Sequence, residues 1–176
     1  MDIWLGAAVI VAFVVSISAT WGVRWAARRF DWLDHPSRRK LHTNPIPLMG
    51  GIAMYAAFIV AIPVAQSRTV FEEGLYVLAG ATLLLVTGVI DDRRGMSPRV
   101  KLLAQIAAAA ILVLGGIHIA FFPWEWVNVV ATIFWVVGIC NAMNLLDNMD
   151  GLSGGVAAIA CATFATLALL NGQISV

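Results

Sequence analysis

Two adjacent carboxylates, Asp91 and Asp92, end an uncharged apolar run and are followed nine residues later by Lys101. Neighbouring carboxylates repel one another, and a divalent cation relieves that repulsion. Mg²⁺ characteristically takes one or two carboxylates and completes its ligand set with phosphate oxygens. Ser97 and Pro98 predict a helix that begins just before the lysine, with its positive dipole end facing the carboxylates. The stretch indicates a site for Mg²⁺ and phosphate, or else a solvated helix end that the two following arginines balance.

A second polar stretch carries Asn141, Asn144, Asp147 and Asp150, each three residues after the one before. On one continuous helix these side chains would drift around the axis by about 180° from first to last. Carboxamides and carboxylates are costly in such apolar surroundings unless they have partners. We therefore expect the helix to end within the stretch, near Gly151, so that the polar atoms converge on a ligand. A solvated turn is the alternative.

A third polar stretch, residues 34–51, is basic and contains three prolines and a glycine pair. The prolines and glycines exclude one continuous helix. A rigid basic loop suits phosphate, although such a loop also serves to fix membrane orientation and to touch anionic lipid headgroups. His35 and His42 are candidate metal ligands, but two lone histidines seven residues apart are more often a surface residue and a hydrogen-bonding loop residue.

The elements that position these residues are membrane helices. Hydrophobic residues make up 61% of the chain and charged residues 12%, and the mean hydropathy is +0.88, which excludes an ordinary water-soluble domain. Crossing the membrane takes roughly 20 apolar residues, and a backbone in lipid must satisfy its own hydrogen bonds. We therefore predict an all-α polytopic membrane protein with about six transmembrane helices. The uncharged runs that predict them are residues 3–23, 41–67, 74–90, 102–124, 126–146 and 151–176.

The charges predict how these helices are oriented. Ten of the eleven cations follow the first and third runs, and only Arg68 lies on the other side. By the positive-inside rule the N-terminus is outside and all three polar stretches are cytoplasmic. This orientation depends on an interfacial turn within residues 115–126, between the fourth and fifth runs. Cys140 and Cys161 lie in apolar runs and predict neither a disulfide nor a zinc site.

Taken together, the three polar stretches resemble the polyprenyl-phosphate N-acetylhexosamine-1-phosphate transferases, which belong to glycosyltransferase family 4. Each motif alone is weak evidence, whereas three in order are specific. The motifs are Asp34-x-Pro36-x-x-Arg39-Lys40-x-His42 with Pro47-x-x-Gly50-Gly51, then Asp91-Asp92 with Lys101, then Asn141-x-x-Asn144-x-x-Asp147-x-x-Asp150-Gly151. The resemblance spans roughly residues 30–160. Asn148 stands where many members of the family carry glycine.

The resemblance implies attack of a polyprenyl-phosphate oxygen on the sugar-linked phosphorus of a UDP-amino sugar, with release of UMP. It also implies Mg²⁺ as cofactor, with Mn²⁺ as the alternative. The catalytic residues that it implies are Asp91, Asp92, Asp147 and Asp150. The metal ligands that it implies are Asn144 and Asp92, and the substrate-binding residues are Lys40, His42, Lys101 and Asn141. Whether Asp91 acts as a base or as a partner at the metal stays open.

The resemblance further predicts a GlcNAc-1-phosphate donor, undecaprenyl phosphate as acceptor, and a multi-pass protein of the bacterial plasma membrane that takes part in cell-wall or surface polysaccharide synthesis. Nucleic acid is not among the expected partners, and a homodimer is left open. Because the family has ten or eleven spans, we expect residues 1–176 to be one membrane domain, the N-terminal and by itself inactive part of a longer transferase. The alternatives are a non-catalytic truncated homologue and a membrane transport subunit.

Overall fold

A computed structural model of the chain describes residues 3–34, 44–65, 68–147, 149 and 151–171. These residues form six helices and one short two-stranded ribbon, which confirms the all-α class. The helices are α1 (Ile3–Arg29), α2 (Gly50–Val64), α3 (Arg68–Arg94), α4 (Pro98–Leu114), α5 (Glu125–Leu146) and α6 (Leu152–Leu170), and the strands are β1 (Leu33–Asp34) and β2 (Ile46–Pro47). The orientation of these helices across the membrane stays a prediction.

Four of the helices in the described part of the chain are long and apolar enough to cross a membrane: Ile3–Arg29, Val70–Arg94, Glu125–Leu146 and Leu152–Leu170. Helix α2 has 15 residues and α4 has 17, both shorter than the runs that predicted them. Uncharged runs alone therefore overestimated the lengths of these two helices. Prolines at 45 and 47 delay the start of α2, and the Gly115-Gly116 pair ends α4 early.

Successive helices pack against one another in chain order from α1 to α5, whereas α6 touches α5 only at a few residues. The buried apolar positions are mostly alanine, including Ala27 and Ala53 with 0% exposure, while most large apolar side chains face outward. In lipid, helices associate through close packing of small residues rather than by hiding large apolar ones. This distribution is therefore the one expected of a protein surrounded by acyl chains.

Helices α3 and α4 approach each other most closely at glycine. A Cβ on Gly80 would lie 3.3 Å from the backbone oxygen of Ala108, and a Cβ on Gly115 would collide with the ring of Tyr76. The second position admits no larger residue unless the tyrosine moves. The absence of a side chain at these two positions brings α4, which carries Lys101, against α3, which carries the adjacent carboxylates.

The turn between α4 and α5 lies at residues 115–124, within the range that the sequence predicted. Two buried polar residues of α5 hold it. Asn128 Oδ1 accepts the Phe122 N–H at 2.9 Å, and Asn128 Nδ2 donates to the Phe122 carbonyl at 3.1 Å. Thr132 Oγ1 accepts the Ile119 N–H at 2.9 Å. Because these side chains satisfy the turn's backbone groups, the turn is a fixed hairpin between two helices.

Replacing Asn128 by leucine should destabilise the protein, because it leaves both backbone groups of Phe122 without their partner. Each unsatisfied buried group costs about 1–3 kcal/mol, so two groups would cost about 2–6 kcal/mol, and because these two bonds are only partly buried we expect about 2–4 kcal/mol. Thermal unfolding of the detergent-solubilised protein measures it. Asn171→Leu is the matched control, since Asn171 is exposed and bonds to the Leu167 carbonyl of its own helix. Equal stability of the two variants would contradict this role of Asn128.

Candidate active site

Asp91 organises the turn between α3 and α4. Its Oδ2 lies 2.5 Å from Nζ of Lys101, and its Oδ1 accepts the Met96 N–H at 2.8 Å. Its backbone carbonyl accepts the Gly95 N–H at 2.8 Å, and Gly95 has a positive φ of 68°. Both carboxylate oxygens are therefore engaged, and the lysine is held where α3 ends and α4 begins.

Helix α4 begins as the sequence predicted. Ser97 is the N-cap residue, its side chain accepts the Val100 N–H at 3.4 Å, and Pro98 is the first helical residue. The positive dipole end of α4 therefore lies beside Asp91 and Lys101. This end of α4 combines a lysine held by Asp91 with the positive end of the helix dipole, and both favour bound anions.

Asp92 projects from the same end of α3 and is exposed. It is repelled by Asp91 and Asp34 and attracted by Lys101, and the nearby backbone N–H of Met49 favours its charged form. Met49 is buried and has a φ of 70°, a left-handed conformation that is costly for a residue with a side chain. The chain thus accepts backbone strain at a residue whose N–H lies near this carboxylate.

An aromatic contact ties the first polar stretch to the carboxylate pair. The guanidinium of Arg93 lies 4.3 Å from the ring centroid of Trp32, and that ring stacks on Phe30 at 5.4 Å. Trp32 immediately precedes β1, whose Asp34 pairs with Ile46 of β2. The described ends of this stretch therefore lie beside Asp92. Sequence reasoning missed this contact because it joins residues that are distant in the chain.

The third polar stretch begins on α5 and reaches α4 through one side-chain hydrogen bond. Asn141 Nδ2 donates to Gln105 Oε1 at 2.7 Å and to the Val137 carbonyl at 2.8 Å. Gln105 lies four residues after Lys101, so the two residues share a face of α4. Gln105 was not among the site residues predicted from the sequence, although its spacing of four residues from Lys101 is visible there.

The remaining predicted residues are only partly placed. Helix α5 ends at Leu146 and Asp147 is its C-cap, which confirms that the helix stops within the polar stretch. Asn144 and Asp147 are both exposed. Lys40, His42 and Asp150 lie outside the described residues, as do His35 and Asn148. Within the described part of the chain, no three His, Cys, Asp or Glu side chains lie together as a metal-binding group.

The three polar stretches thus meet at one end of the helices. Asp92 joins the second stretch to the first, and Gln105 joins α4 to the third. The sequence model that describes glycosyl transferase family 4 matches residues 74–176 of this chain, which is more than half of it. The chain belongs to glycosyl transferase family 4. The match begins within α3 and includes the carboxylate pair, Lys101 and all of α4 and α5.

Individual members of the family are similar over most of the chain. A probable undecaprenyl-phosphate N-acetylglucosaminyl 1-phosphate transferase of Bacillus subtilis is 31% identical over 96% of this chain and 50% of that protein. The undecaprenyl-phosphate alpha-N-acetylglucosaminyl 1-phosphate transferase of Yersinia pestis is 31% identical over 95% of this chain and 48% of that protein. The decaprenyl-phosphate N-acetylglucosaminephosphotransferase of Mycolicibacterium smegmatis is 31% identical over 80% of this chain and 39% of that protein.

The chain spans about half the length of the curated relatives that it matches most fully. No solved structure matches it significantly. Family membership confirms the resemblance drawn from the three motifs. Together with the four long apolar helices, it establishes a membrane-embedded member of glycosyl transferase family 4.

Breaking the contact between Trp32 and Arg93 should lower the stability of the protein, because this contact ties the described ends of the first polar stretch to α3. In a double-mutant cycle of Trp32→Leu and Arg93→Gln, we expect a coupling free energy of about 0.5–1 kcal/mol, the usual strength of an exposed cation–π pair. Chemical or thermal unfolding in detergent measures it. Arg94→Gln combined with Trp32→Leu is the matched control, because Arg94 is exposed and has no ring contact within the described residues. Strictly additive effects at Arg93 would contradict the contact.

Proposed function

We propose that this chain helps form the active site of a transferase that moves a sugar 1-phosphate from a UDP-sugar to undecaprenyl phosphate. The sugar phosphate is GlcNAc-1-phosphate, UMP is released, and the site faces the cytoplasm at the bacterial plasma membrane, where the product serves cell-wall or surface polysaccharide synthesis. The observation that carries this proposal is the fixed pair of Asp91 and Lys101 at the start of α4. Family membership and the names of the relatives support it.

The proposed reaction forms one P–O bond and breaks another. An oxygen of the lipid phosphate attacks the sugar-linked phosphorus, and the bond from that phosphorus to the oxygen of UMP breaks. Catalysis of such a step is mainly positioning and charge neutralisation. Lys101 and the N-terminal end of α4 provide positive charge for the diphosphate. A phosphate monoester has a second pKa of about 6 and is therefore mostly dianionic at pH 7. The attack of such a phosphate needs no strong base.

The donor atoms at this end of the helices fit Mg²⁺, and Mn²⁺ is the alternative cofactor. Both ions prefer carboxylate, carboxamide and phosphate oxygens. Asp92 is exposed and next to a second carboxylate, and Asn144 is exposed near the end of α5. We assign Asp92 and Asn144 as the residues that would hold the ion. When bound, the ion would neutralise phosphate charge, while this chain's residues bind and orient the two substrates.

The Asp91→Asn variant should release UMP about 10²–10³ times more slowly than the unchanged protein, because it weakens the hold on Lys101 at the diphosphate. The assay uses membranes that contain the complete gene product with these residues, UDP-GlcNAc, undecaprenyl phosphate and Mg²⁺. Glu125→Gln is the matched control, since Glu125 begins α5 at the opposite end of α4 and α5. Undiminished release by Asp91→Asn would contradict the site. No UMP release by the unchanged protein would contradict the function and favour a non-catalytic or transport role.

Removing divalent cations with EDTA should abolish UMP release, and Mg²⁺ should restore it. Asp92→Asn should raise the Mg²⁺ concentration needed for half-maximal release by about 10–100-fold, because it removes one charged ligand. Asp31→Asn is the matched control, because Asp31 is exposed and asparagine tolerates its positive φ of 55°. An unchanged Mg²⁺ requirement in Asp92→Asn would exclude Asp92 as a ligand.

A further inference from the structure

The hydrogen bonds of Asn141 fix the orientation of two side-chain amides. A backbone carbonyl can only accept, so the Asn141 atom 2.8 Å from the Val137 carbonyl is the amide nitrogen. The second hydrogen of that nitrogen is donated across the helix interface to Gln105 Oε1 at 2.7 Å. Both N–H groups of Asn141 are therefore used inside the protein. Asn141 thus has no N–H left for a substrate, and its predicted substrate-binding role, which stays a prediction, would fall to Oδ1.

The bridge lies between two residues already assigned to the site. Gln105 is one helical turn beyond Lys101 on α4, and Asn141 is one turn before Asn144 on α5. Any slide or rotation of α4 against α5 would therefore displace Lys101 relative to Asn144. The bridge opposes such a movement within one turn of both residues.

Apolar packing alone does not determine how these two helices align. An open groove of about 300 Å³ is lined by apolar side chains of both helices, so their apolar packing is incomplete there. Its lining residues are Leu102, Ile106, Val130, Ile133, Phe134 and Val137. At one end of the groove the hairpin turn is held by Asn128 and Thr132. At the other end, next to the site, a side-chain hydrogen bond from Asn141 to Gln105 joins α5 to α4.

We propose that Gln105 is a positioning residue for the transfer reaction. It accepts the Asn141 amide and thereby fixes the distance between Lys101, which binds the diphosphate, and Asn144, which binds the metal. The proposal rests on the proposed function and adds a residue to it. Gln105 does not touch substrate in this role, because it acts through Asn141.

The test replaces Gln105 by residues that separate shape from hydrogen bonding. Gln105→Leu keeps the size and removes the acceptor, whereas Gln105→Glu keeps an acceptor for the Asn141 amide. We expect Gln105→Leu to lower kcat by roughly 10–100-fold, because a misplacement of about 1 Å costs up to 10²-fold. KM for both substrates should stay within about twofold. Gln105→Glu should recover most of the lost kcat. Gln105→Ala replaces the leucine variant if that protein does not accumulate in membranes.

The pair itself is tested by adding Asn141→Leu. The double variant Gln105→Leu with Asn141→Leu should be no slower than the worse single variant, because both changes remove the same bond. Tyr55→Phe is the matched control. Tyr55 and Thr82 form another interhelical hydrogen bond, between α2 and α3 and away from the site. Tyr55→Phe should lower thermal stability without changing kcat.

Several outcomes would overturn the proposal. One is a rise in KM with unchanged kcat, and another is a loss of kcat in the double variant equal to the product of the two single losses. A third is a Gln105→Glu protein as slow as Gln105→Leu, which would indicate that the Gln105 amide donates a hydrogen bond to substrate. A double-mutant cycle on thermal stability reports on the pair without any activity. If the two substitutions have coupled effects on thermal stability but the unchanged protein releases no UMP, the proposed function alone is overturned. If their effects on thermal stability are additive and the unchanged protein releases UMP, the role of Gln105 alone is overturned.

Discussion

The arrangement of this end of the molecule depends on the carboxylate of Asp91. One of its oxygens holds the Lys101 ammonium and the other holds the Met96 N–H, so the carboxylate determines both the path of the α3–α4 turn and the place of the lysine. Because Asp91 is anchored on α3, the start of α4 is anchored too. Asp92 projects from the same helix end and lies near Asp34 and the Met49 amide, so the described ends of the first polar stretch lie at the same place.

In a protein whose large apolar side chains face lipid, apolar burial says little about how one helix aligns with the next. Alanine and glycine set how closely the helices approach, as at Gly80 and Ala108. Side-chain hydrogen bonds between elements then select one alignment among several of similar packing. The turn held by Asn128 and the bridge from Asn141 to Gln105 are examples, and they lie at opposite ends of the α4–α5 pair.

Much of this could be predicted from sequence, because uncharged runs and loop charges directly reflect the cost of ions in hydrocarbon. Six helices, the Ser97 cap and the end of α5 followed from such local rules. The lengths of α2 and α4 did not, since a charge count does not detect where proline or glycine ends a helix. Gln105 is a single polar residue in an apolar helix, and its partner lies 36 residues away, so only the three-dimensional structure reveals its role.

The geometry also bears on what Asp91 does. A lysine ammonium has three N–H donors, and Asp91 occupies one of them. Two donors remain for phosphate oxygens, so Lys101 can bind the diphosphate of the proposed donor without leaving its carboxylate. Each carboxylate oxygen has a second lone pair, but a proton taken up by Asp91 would neutralise the charge that holds the Lys101 ammonium. The observed contacts therefore favour Asp91 as the residue that holds Lys101 in place, and the acceptor phosphate that we propose, being mostly dianionic, would need no strong base.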